Sequence, residues 1–400
     1  TGGSPTFTNT IRIDVLGGGG NDEIALYENL GPLPPARIFG EGGNDMITGG
    51  SGADFLDGGT GNDRLSGRGG MDNLTGGDGA DILTGGDGDD QVSGGNQDDQ
   101  FIWNPGDDDD LLEGDAGTDT INVVGQSTPE SYLASVPASR VRFERNSTFP
   151  FVLDIGTIEH LVLNANAGDD TFSTTGNLAA LIQITVYGGP GSDTLSGSNG
   201  PDILDGGDDI DQIDGQQGID TILGGNGDDV IQWAPGDGSD FIEGQGGQDT
   251  LLFNASNASE IITVSPNGGR VSLFRDVANI VLDLNDVETL DLNLLGGTDT
   301  LTVNNLQGTD VTTVIADLAG TGGAGDAAAD NVTLNGTSAP DIITVSSAPS
   351  QVTVTGLPAT LRILQPEVAN DDLTINGLGG NDTFGIGAGV AGLIGVTTNQ

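Results

Sequence analysis

The chain has 400 residues, with 60 Asp and Glu against 10 Arg and no Lys, and its formal net charge of −50 excludes nucleic acid as a partner because phosphate binding needs a basic surface. With 4% aromatic residues and 70 Gly it cannot fill a wide core, while its aliphatic content and the lack of a Gly triplet exclude disorder and collagen. It has no Cys and no apolar run of about 18 residues, so disulfides, thiolate metal sites and a membrane span are not expected. An internal repeat is the explanation that remains.

Residues 1–39 are interpreted as a truncated β spacer. The opening TGGSPTFTNT has neither the charge nor the apolar run of a signal peptide, so we expect a mature chain or a piece of a longer array. Residues 11–26, IRIDVLGGGGNDEIAL, alternate apolar and polar side chains and then give a Gly-Asp turn that contains Asp22.

A nonapeptide repeat follows in residues 40–122 and again in residues 188–252, and each block has one two-residue insertion. Position 6 is Asp in all sixteen units, position 8 is apolar in all sixteen, and position 1 is Gly in fourteen and Pro in two. We predict that the two blocks are β-rolls. The position-6 residues are Asp45, Asp54, Asp63, Asp72, Asp81, Asp90, Asp99, Asp110, Asp119, Asp193, Asp202, Asp211, Asp220, Asp229, Asp240 and Asp249.

The restricted positions indicate how a unit folds. Gly at positions 1 and 4 permits a tight turn with exposed carbonyl groups, and positions 7 to 9 are extended with position 8 pointing inward. A three-residue strand cannot bury its apolar side chain alone, but two facing units stacked in layers can. The sequence therefore predicts an all-β, right-handed parallel β-roll or β-helix solenoid, with two rolls joined by β-rich spacers.

Stacking brings the Asp side chains close to one another. Units 18 residues apart lie on the same side of successive coils, so their carboxylates recur about every 4.8 Å. Two unit charges at that distance repel by roughly 3–4 kcal/mol at an effective dielectric near 20, so we expect a divalent cation between the turns. Hard oxygen ligands in a flexible turn suit Ca²⁺ better than Mg²⁺, Zn²⁺ or Cu²⁺. An acidic surface that serves only solubility is the alternative, and it predicts scattered carboxylates.

The units match GGxGxDxUx and resemble the RTX, or hemolysin-type, calcium-binding repeats. The resemblance implies a parallel β-roll with Ca²⁺ held between turns by position-6 Asp and main-chain carbonyls, export by type I secretion, and folding in external calcium. Pairing of units two apart gives about a dozen calcium ions in the two rolls. Gln97 and Asp208–Asp209 interrupt the Gly pattern and predict poorer sites.

Residues 123–187 are interpreted as a β spacer and residues 253–400 as a β-rich spacer with degenerate repeats. IEHLVLNANAGDDTF at 158–172 matches VETLDLNLLGGTDTL at 287–301, and NDDLTINGLGGNDTF at 370–384 is a third copy. Period-two apolar runs between these copies predict short strands that continue the solenoid as a wider β-helix or a small sandwich.

Gly-Asp turns outside the rolls add candidate calcium ligands at Asp22, Asp170, Asp299 and Asp382. Traces of the repeat further along add Asp326, Asp330 and Asp341 as weaker candidates. The two-residue insertions contain Trp103 and Trp233, which we expect to cover an irregular corner of the core rather than to form a sugar-binding platform.

No catalytic constellation is present in the sequence. His160 is the only His and lies beside Glu159 in an alternating strand, so an HExxH zinc site cannot exist. Paired carboxylates are too frequent to indicate a glycosidase. We predict that the chain is not an enzyme and has no catalytic residues.

These observations predict a secreted, extracellular calcium-binding structural or adhesive protein, such as a surface-layer, matrix or filament component involved in cell adhesion. Its expected partners are calcium ions, other copies of itself and a cell surface or matrix, and it is not expected to span a membrane. One alternative is the repeat region of a secreted enzyme or toxin whose catalytic domain lies outside this chain. A calcium-dependent glycan-binding module is another, and the scarcity of outward aromatic residues weighs against it.

Overall fold

The computed structural model describes residues 12–147 and 149–400, so Ile11 and the residues before it lie outside the described part. The regular secondary structure of the described residues is almost wholly β-strand, with two single-turn 3₁₀ helices, Val277–Asn279 and Val390–Gly392. The chain forms two compact units, Thr1–Gly189 with Ser198–Gly200, and Pro190–Gly197 with Pro201–Gln400.

The first unit is built from two sheets, and consecutive strands alternate between them up to Thr120–Val124. One sheet contains, in hydrogen-bonded order, Ile13–Gly19, Ala36–Gly42, Phe55–Thr60, Asn73–Asp78, Gln91–Asn96, Asp110–Ala116, Phe151–Gly156, Val141–Arg145, Ser131–Ser135 and Thr171–Thr175. The other contains Glu23–Ala25, Met46–Thr48, Arg64–Gly69, Ile82–Asp87, Gln100–Trp103, Thr120–Val124, His160–Asn164 and Gln183–Pro190, all parallel.

The second unit repeats this arrangement. One sheet contains Thr194–Ser196, Gln212–Asp214, Val230–Trp233, Thr250–Asn254, Thr289–Asn293, Thr313–Asp317, Thr360–Leu364, Gln351–Thr355, Ile342–Ala348 and Thr383–Ile386. The other contains Ile203–Asp208, Thr221–Asn226, Phe241–Gly246, Ile280–Asn285, Arg270–Arg275, Ile261–Asn267, Thr300–Val303, Asn331–Asn335, Asp372–Asn376 and Gly395–Asn399.

The core of each roll is a narrow file of mostly aliphatic side chains from position 8. Leu56 pairs with Leu74 in register, 18 residues further along, and both are at most 1% exposed. This spacing confirms the predicted all-β, parallel β-roll solenoid in which units two apart stack on each other. Among the described residues, no helix is long and apolar enough to cross a membrane.

The spacers differ from the expected wider β-helix or sandwich. Residues 123–187 contain one three-stranded antiparallel meander, the first meander (131–156), and residues 253–400 contain two, the second meander (261–285) and the third meander (342–364). The outer strands of each meander pair in parallel with the coils on either side. The reversal follows from tight turns such as Gly268-Gly269, where Gly268 has φ +70° and joins the paired residues Asn267 and Arg270.

Candidate calcium sites

The position-6 Asp residues lie at the start of the short strands and form rows that run from coil to coil. The peptide N–H of Asp45 donates to Asp63 Oδ1 at 2.7 Å, and the N–H of Asp63 donates to Asp81 Oδ1 at 2.7 Å. In the second unit, the N–H of Asp211 donates to Asp229 Oδ1 at 2.8 Å. One carboxylate oxygen therefore fixes the backbone of the coil before it, and every one of the sixteen Asp side chains is buried.

The second carboxylate oxygen of most of these residues is buried without a hydrogen-bond partner. A buried carboxylate that lacks a partner is strongly unfavourable because it has lost its hydration. Within the described residues of the rolls, this atom is Oδ2 of Asp45, Asp63, Asp72, Asp81, Asp90, Asp99, Asp119, Asp211, Asp220, Asp229 and Asp249. Outside the rolls, it is Oδ2 of Asp22, Asp299 and Asp382.

The Gly at position 1 forms a cradle beside Oδ2 of the Asp in its own unit. A Cβ placed on Gly49 would lie 2.8 Å from Asp54 Oδ2 and 2.6 Å from the carbonyl oxygen of Gly67 in the next coil. A Cβ on Gly224 would lie 2.7 Å from Asp229 Oδ2 and 2.7 Å from the Gly244 carbonyl oxygen. Only Gly allows carboxylate and carbonyl oxygens from two coils to approach this closely, which explains why position 1 is restricted.

Burial is the main electrostatic influence on these carboxyl groups. It raises the pKa of Asp72, Asp110 and Asp220 to about 8, with a smaller contribution from neighbouring carboxylates and an opposing one from the backbone N–H. For the same reasons the pKa is raised to about 7 in Asp90, Asp99, Asp211 and Asp249, and to about 6 in Asp63 and Asp119. Ionised rows are therefore unfavourable unless a cation offsets their charge.

The donor set fits calcium. In residues 12–147 and 149–400, no group of three or more His, Asp or Glu side chains is arranged to hold a metal, so a cation site must also use main-chain carbonyls. Buried carboxylate oxygens and Gly carbonyls are the hard, mixed ligands that Ca²⁺ accepts in irregular geometry, whereas Mg²⁺ demands a near-octahedral set. Ca²⁺ would be held by position-6 Asp and by the carbonyls of the adjoining turns.

The turns keep their shape where the Gly pattern is interrupted. Gln97 and Asp209 both stand at position 4 and both have φ +79°, in the left-handed region that Gly occupies in other units. Asp54 differs in another way, since its Oδ2 accepts the N–H of Gly50 at 2.7 Å. The prediction that some units bind calcium less well stays a prediction.

The sequence interpretation missed several acidic residues that continue the rows into the spacers. The N–H of Asp119 donates to Glu159 Oε2 at 2.9 Å, and the N–H of Asp249 donates to Glu288 Oε2 at 2.7 Å. Glu130, Glu260 and Asp371 were also missed, and they are joined to the predicted candidates Asp170, Asp299 and Asp330, respectively. The sequence signal that could have found these residues is an acidic residue two positions before an apolar one, without the glycines of the nonapeptide repeat.

The structure brings the weaker candidates to different places. Asp330 and Asp341 occupy position 6 and join the rows, as do the predicted Asp22, Asp170, Asp299 and Asp382. Asp326 lies apart from the rows, where its Oδ2 accepts the N–H of Gly297 at 3.1 Å.

Two of the newly found acids are neutralised by arginine. Arg145 Nη1 contacts Glu130 Oε1 at 2.6 Å in the first meander, and both side chains are 2% exposed. In the second meander, Arg275 Nε donates to Glu260 Oε2 at 2.7 Å. Burial alone would raise the pKa of Glu260, but the hydrogen bonds and charge of Arg275 outweigh it and lower that pKa. Glu130 and Glu260 stand at position 6 of their coils and are paired with arginine, whereas a position-6 residue of the rolls such as Asp63 has an Oδ2 atom without a partner.

The two Trp side chains lie beside these buried arginines. Trp103 stacks on Phe151 at 3.8 Å between ring centroids, and Trp233 stacks on Phe253 at 4.5 Å. Arg145 lies 5.5 Å from the Trp103 centroid. Both Trp side chains are 1% exposed, which confirms that they cover a corner of the core and excludes an exposed sugar platform.

A second pair of arginines lies at the surface of the meanders. Arg140 contacts Glu113 and lies 2.5 Å from Asp154, and Arg270 lies 2.5 Å from Glu243 and 2.6 Å from Asp283. The two guanidinium groups therefore tie the roll strands Asp110–Ala116 and Phe241–Gly246 to strands of the first and second meanders.

Fold and site together define the class: a parallel β-solenoid whose Gly-rich turns bury rows of carboxylates. The family model described as the RTX calcium-binding nonapeptide repeat (4 copies) matches residues 37–65, 66–101, 106–123, 187–222, 205–232 and 236–257. The chain thus carries several copies of RTX repeats, which bind Ca²⁺. No curated protein matches the chain. Residues 258–400 lie outside the matched segments.

Proposed function

We propose that this chain is part of an extracellular structural or adhesive protein, such as a surface-layer, matrix or filament component, whose rolls fold when Ca²⁺ fills the spaces between their turns. The observation that carries this proposal is the set of buried Oδ2 atoms without a hydrogen-bond partner in both rolls. Their number and regular spacing support about a dozen ions.

The two carboxylate oxygens of a position-6 Asp have different roles. Oδ1 of most position-6 Asp residues accepts a hydrogen bond from the backbone N–H of the preceding coil, as Asp81 Oδ1 accepts the N–H of Asp63, so the coils stay in register. Oδ2 and the turn carbonyls remain for the cation. Bound Ca²⁺ supplies the positive charge that these buried carboxylates require, and metal binding then contributes directly to the free energy of folding.

The acidic composition supports an extracellular site of action. A net charge of −50 keeps an unfolded chain expanded through self-repulsion, and calcium reduces that repulsion where the rows form. Because cells keep cytosolic calcium low, the chain would remain unfolded before export and fold outside, consistent with type I secretion. Adhesion to a cell surface, to a matrix or to other copies is the role that a stiff repeated scaffold suits.

We further propose that this segment acts through binding and scaffolding rather than catalysis. His160, the only His in the sequence, is half-buried on the strand His160–Asn164, and its backbone N–H donates to the Asp119 carbonyl at 3.0 Å. This position supports a structural role for His160.

The test is far-ultraviolet circular dichroism of the full chain in calcium, after EGTA, and after calcium is restored. We expect the β-sheet signal to be lost in EGTA and to return with calcium but not with an equal concentration of Mg²⁺. An unchanged spectrum in EGTA would reject calcium-driven folding. A full return with Mg²⁺ alone would reject the assignment of the cation as calcium.

A further inference from the structure

Apolar side chains and one arginine lie together on the outer face of the first unit, where its first roll begins. Phe55 is in register with Arg37 on the neighbouring strand, and Phe39 is in register with Leu16 on the strand beyond. The two phenyl rings are 5.6 Å apart between centroids, and Leu16 is 68% exposed. We call these four residues the outer patch. An exposed apolar surface that is continuous over three strands marks an interaction site.

The charge of Arg37 is not neutralised by the chain. In the part of the chain that the structure describes, its guanidinium forms no ion pair, and it lies 5.2 Å from the ring centroid of Phe55 and 5.5 Å from that of Phe39. Arg140, by contrast, contacts Asp154 at 2.5 Å. A guanidinium that stacks on aromatic rings keeps its N–H donors directed outward, so Arg37 is open to a carboxylate from another molecule.

One edge of the first roll changes from apolar to acidic along the stack. Hydrogen bonds between position-6 Asp residues place four of its turns on this edge in chain order. The residues that come directly before the position-6 Asp in these turns are Ala53, Met71, Asp89 and Asp109. Met71 is 67% exposed, and Ala53 lies two residues before Phe55. The apolar end of the edge is therefore continuous with the outer patch.

The acidic end of this edge has no basic residue of its own. Asp87, Asp89 and Asp108 are exposed there, and we call these three residues the acidic edge. Residues 69–139 contain no arginine, whereas residues 12–68 contain four of the ten arginines in the chain. The first roll therefore carries two complementary surfaces a few coils apart, one with an arginine among apolar side chains and the other with exposed carboxylates.

We infer that the outer patch is a contact surface for a second copy of this chain, whose acidic edge supplies carboxylates to Arg37. The charges of the two surfaces are complementary, and the phenyl rings add an apolar contact that salt does not screen. Because the two surfaces differ, each copy uses one and offers the other, and a contact of this kind extends into a filament or closes into a ring. The inference rests on the proposed function and deepens it, because it names the surface through which copies of a structural protein assemble.

The test is sedimentation velocity of the full chain at saturating calcium over a range of protein concentrations. The variants are Arg37→Glu and Asp89→Arg, and the matched control is Arg64→Glu, which changes an exposed arginine on a strand of the other sheet. We expect the control to associate as the unmodified chain does, and each variant to associate at least about tenfold more weakly because like charges then face each other. A mixture of Arg37→Glu and Asp89→Arg should recover the association.

Circular dichroism of the same samples in calcium and in EGTA separates the two proposals. A chain that folds with calcium but stays monomeric at every concentration would overturn the contact surface and leave calcium-driven folding in place. Equal weakening by Arg37→Glu and Arg64→Glu, or a mixture that does not associate, would also overturn it. If Arg37→Glu lacks the β-sheet spectrum, Phe55→Thr replaces it, because Thr221 stands at the same position of another unit, and unchanged association of that variant would reject the patch.

Discussion

In the first roll, Asp63 buries a carboxylate whose Oδ2 has no partner, whereas in the first meander Glu130 buries a carboxylate that Arg145 contacts at 2.6 Å. Both acids stand at the same position of a coil, and both belong to rows joined by N–H to carboxylate hydrogen bonds. The same backbone position therefore carries its own cation in the meander. Under the proposed function, the roll takes its positive charge from an ion in solution.

The comparison is most strongly tested by pH in the absence of calcium. Burial raises the folded-state pKa of Asp63 to about 6 and those of Asp72 and Asp220 to about 8, above the value of 3.8 for an unperturbed Asp. A raised pKa favours the protonated folded state, so stability is present at low pH and is lost as pH rises through about 6 to 8. In EGTA, we expect more β-sheet circular dichroism at pH 5 than at pH 8.

The Glu260–Arg275 pair of the second meander gives the opposite dependence of stability on pH. The lowered pKa of Glu260 means that its pair with Arg275 stabilises the fold above pH 4.5 and loses this contribution as pH falls further. Hydrogen exchange of residues 261–275 should therefore accelerate below about pH 4, where Asp63, Asp72 and Asp220 in the rolls are already neutral. A uniform pH response in both regions would contradict the distinction.

Removal of the built-in cation should be the most damaging single substitution. Arg145→Met leaves Glu130 buried and charged, which should cost about 3–5 kcal/mol in the free energy of unfolding at saturating calcium. Urea unfolding followed by Trp fluorescence measures this. The double variant Arg145→Met with Glu130→Gln should recover most of the loss, and equal instability of both variants would show that the charge is not the cause.

Filling a cradle should have a smaller effect, confined to a roll. Gly49→Ala places a methyl group 2.6 Å from the Gly67 carbonyl oxygen and should lower the free energy of unfolding by about 1–3 kcal/mol, with weaker calcium affinity. Gly69→Ala is the matched control, because its Cβ would be 3.7 Å from the nearest atom. Calcium titration followed by circular dichroism measures both, and equal affinities would count against the cradle.

The smallest effect is expected at the surface pair. Arg140 is 32% exposed in its side chain, so Arg140→Gln should change the free energy of unfolding by less than about 1 kcal/mol. The difference should fall further in about 1 M NaCl, where the screening length is roughly 3 Å. A loss as large as that of Arg145→Met would mean that burial does not separate the two arginines.

The rolls could be predicted from the sequence because every constraint recurs with the same period. Asp at position 6, an aliphatic residue at position 8 and Gly at position 1 each have a local physical reason, and Leu56 lies over Leu74 as that period requires. The spacer copies containing Asp299 and Asp382 were found for the same reason. Where the period was kept, stacking followed.

The meanders could not be predicted in this way because their partners are set by chain reversal. Glu130 meets Arg145 only because two hairpin strands run antiparallel, and no fixed spacing along a parallel coil indicates that contact. The signal for reversal was present in Asn267-Gly268-Gly269-Arg270, a two-residue hairpin turn. Period-two strands alone do not distinguish this turn from another coil.

The row hydrogen bonds also give the stack a direction. The N–H of Asp45 is held by a side chain that lies 18 residues later, never by one that lies earlier. When a chain emerges amino terminus first from a ribosome or a pore, the Asp N–H of its newest unit has no partner yet. That N–H is satisfied only when the second unit after it has emerged. Each coil is completed by its successor, and Glu159 and Glu288 supply that last carboxylate where the repeats stop.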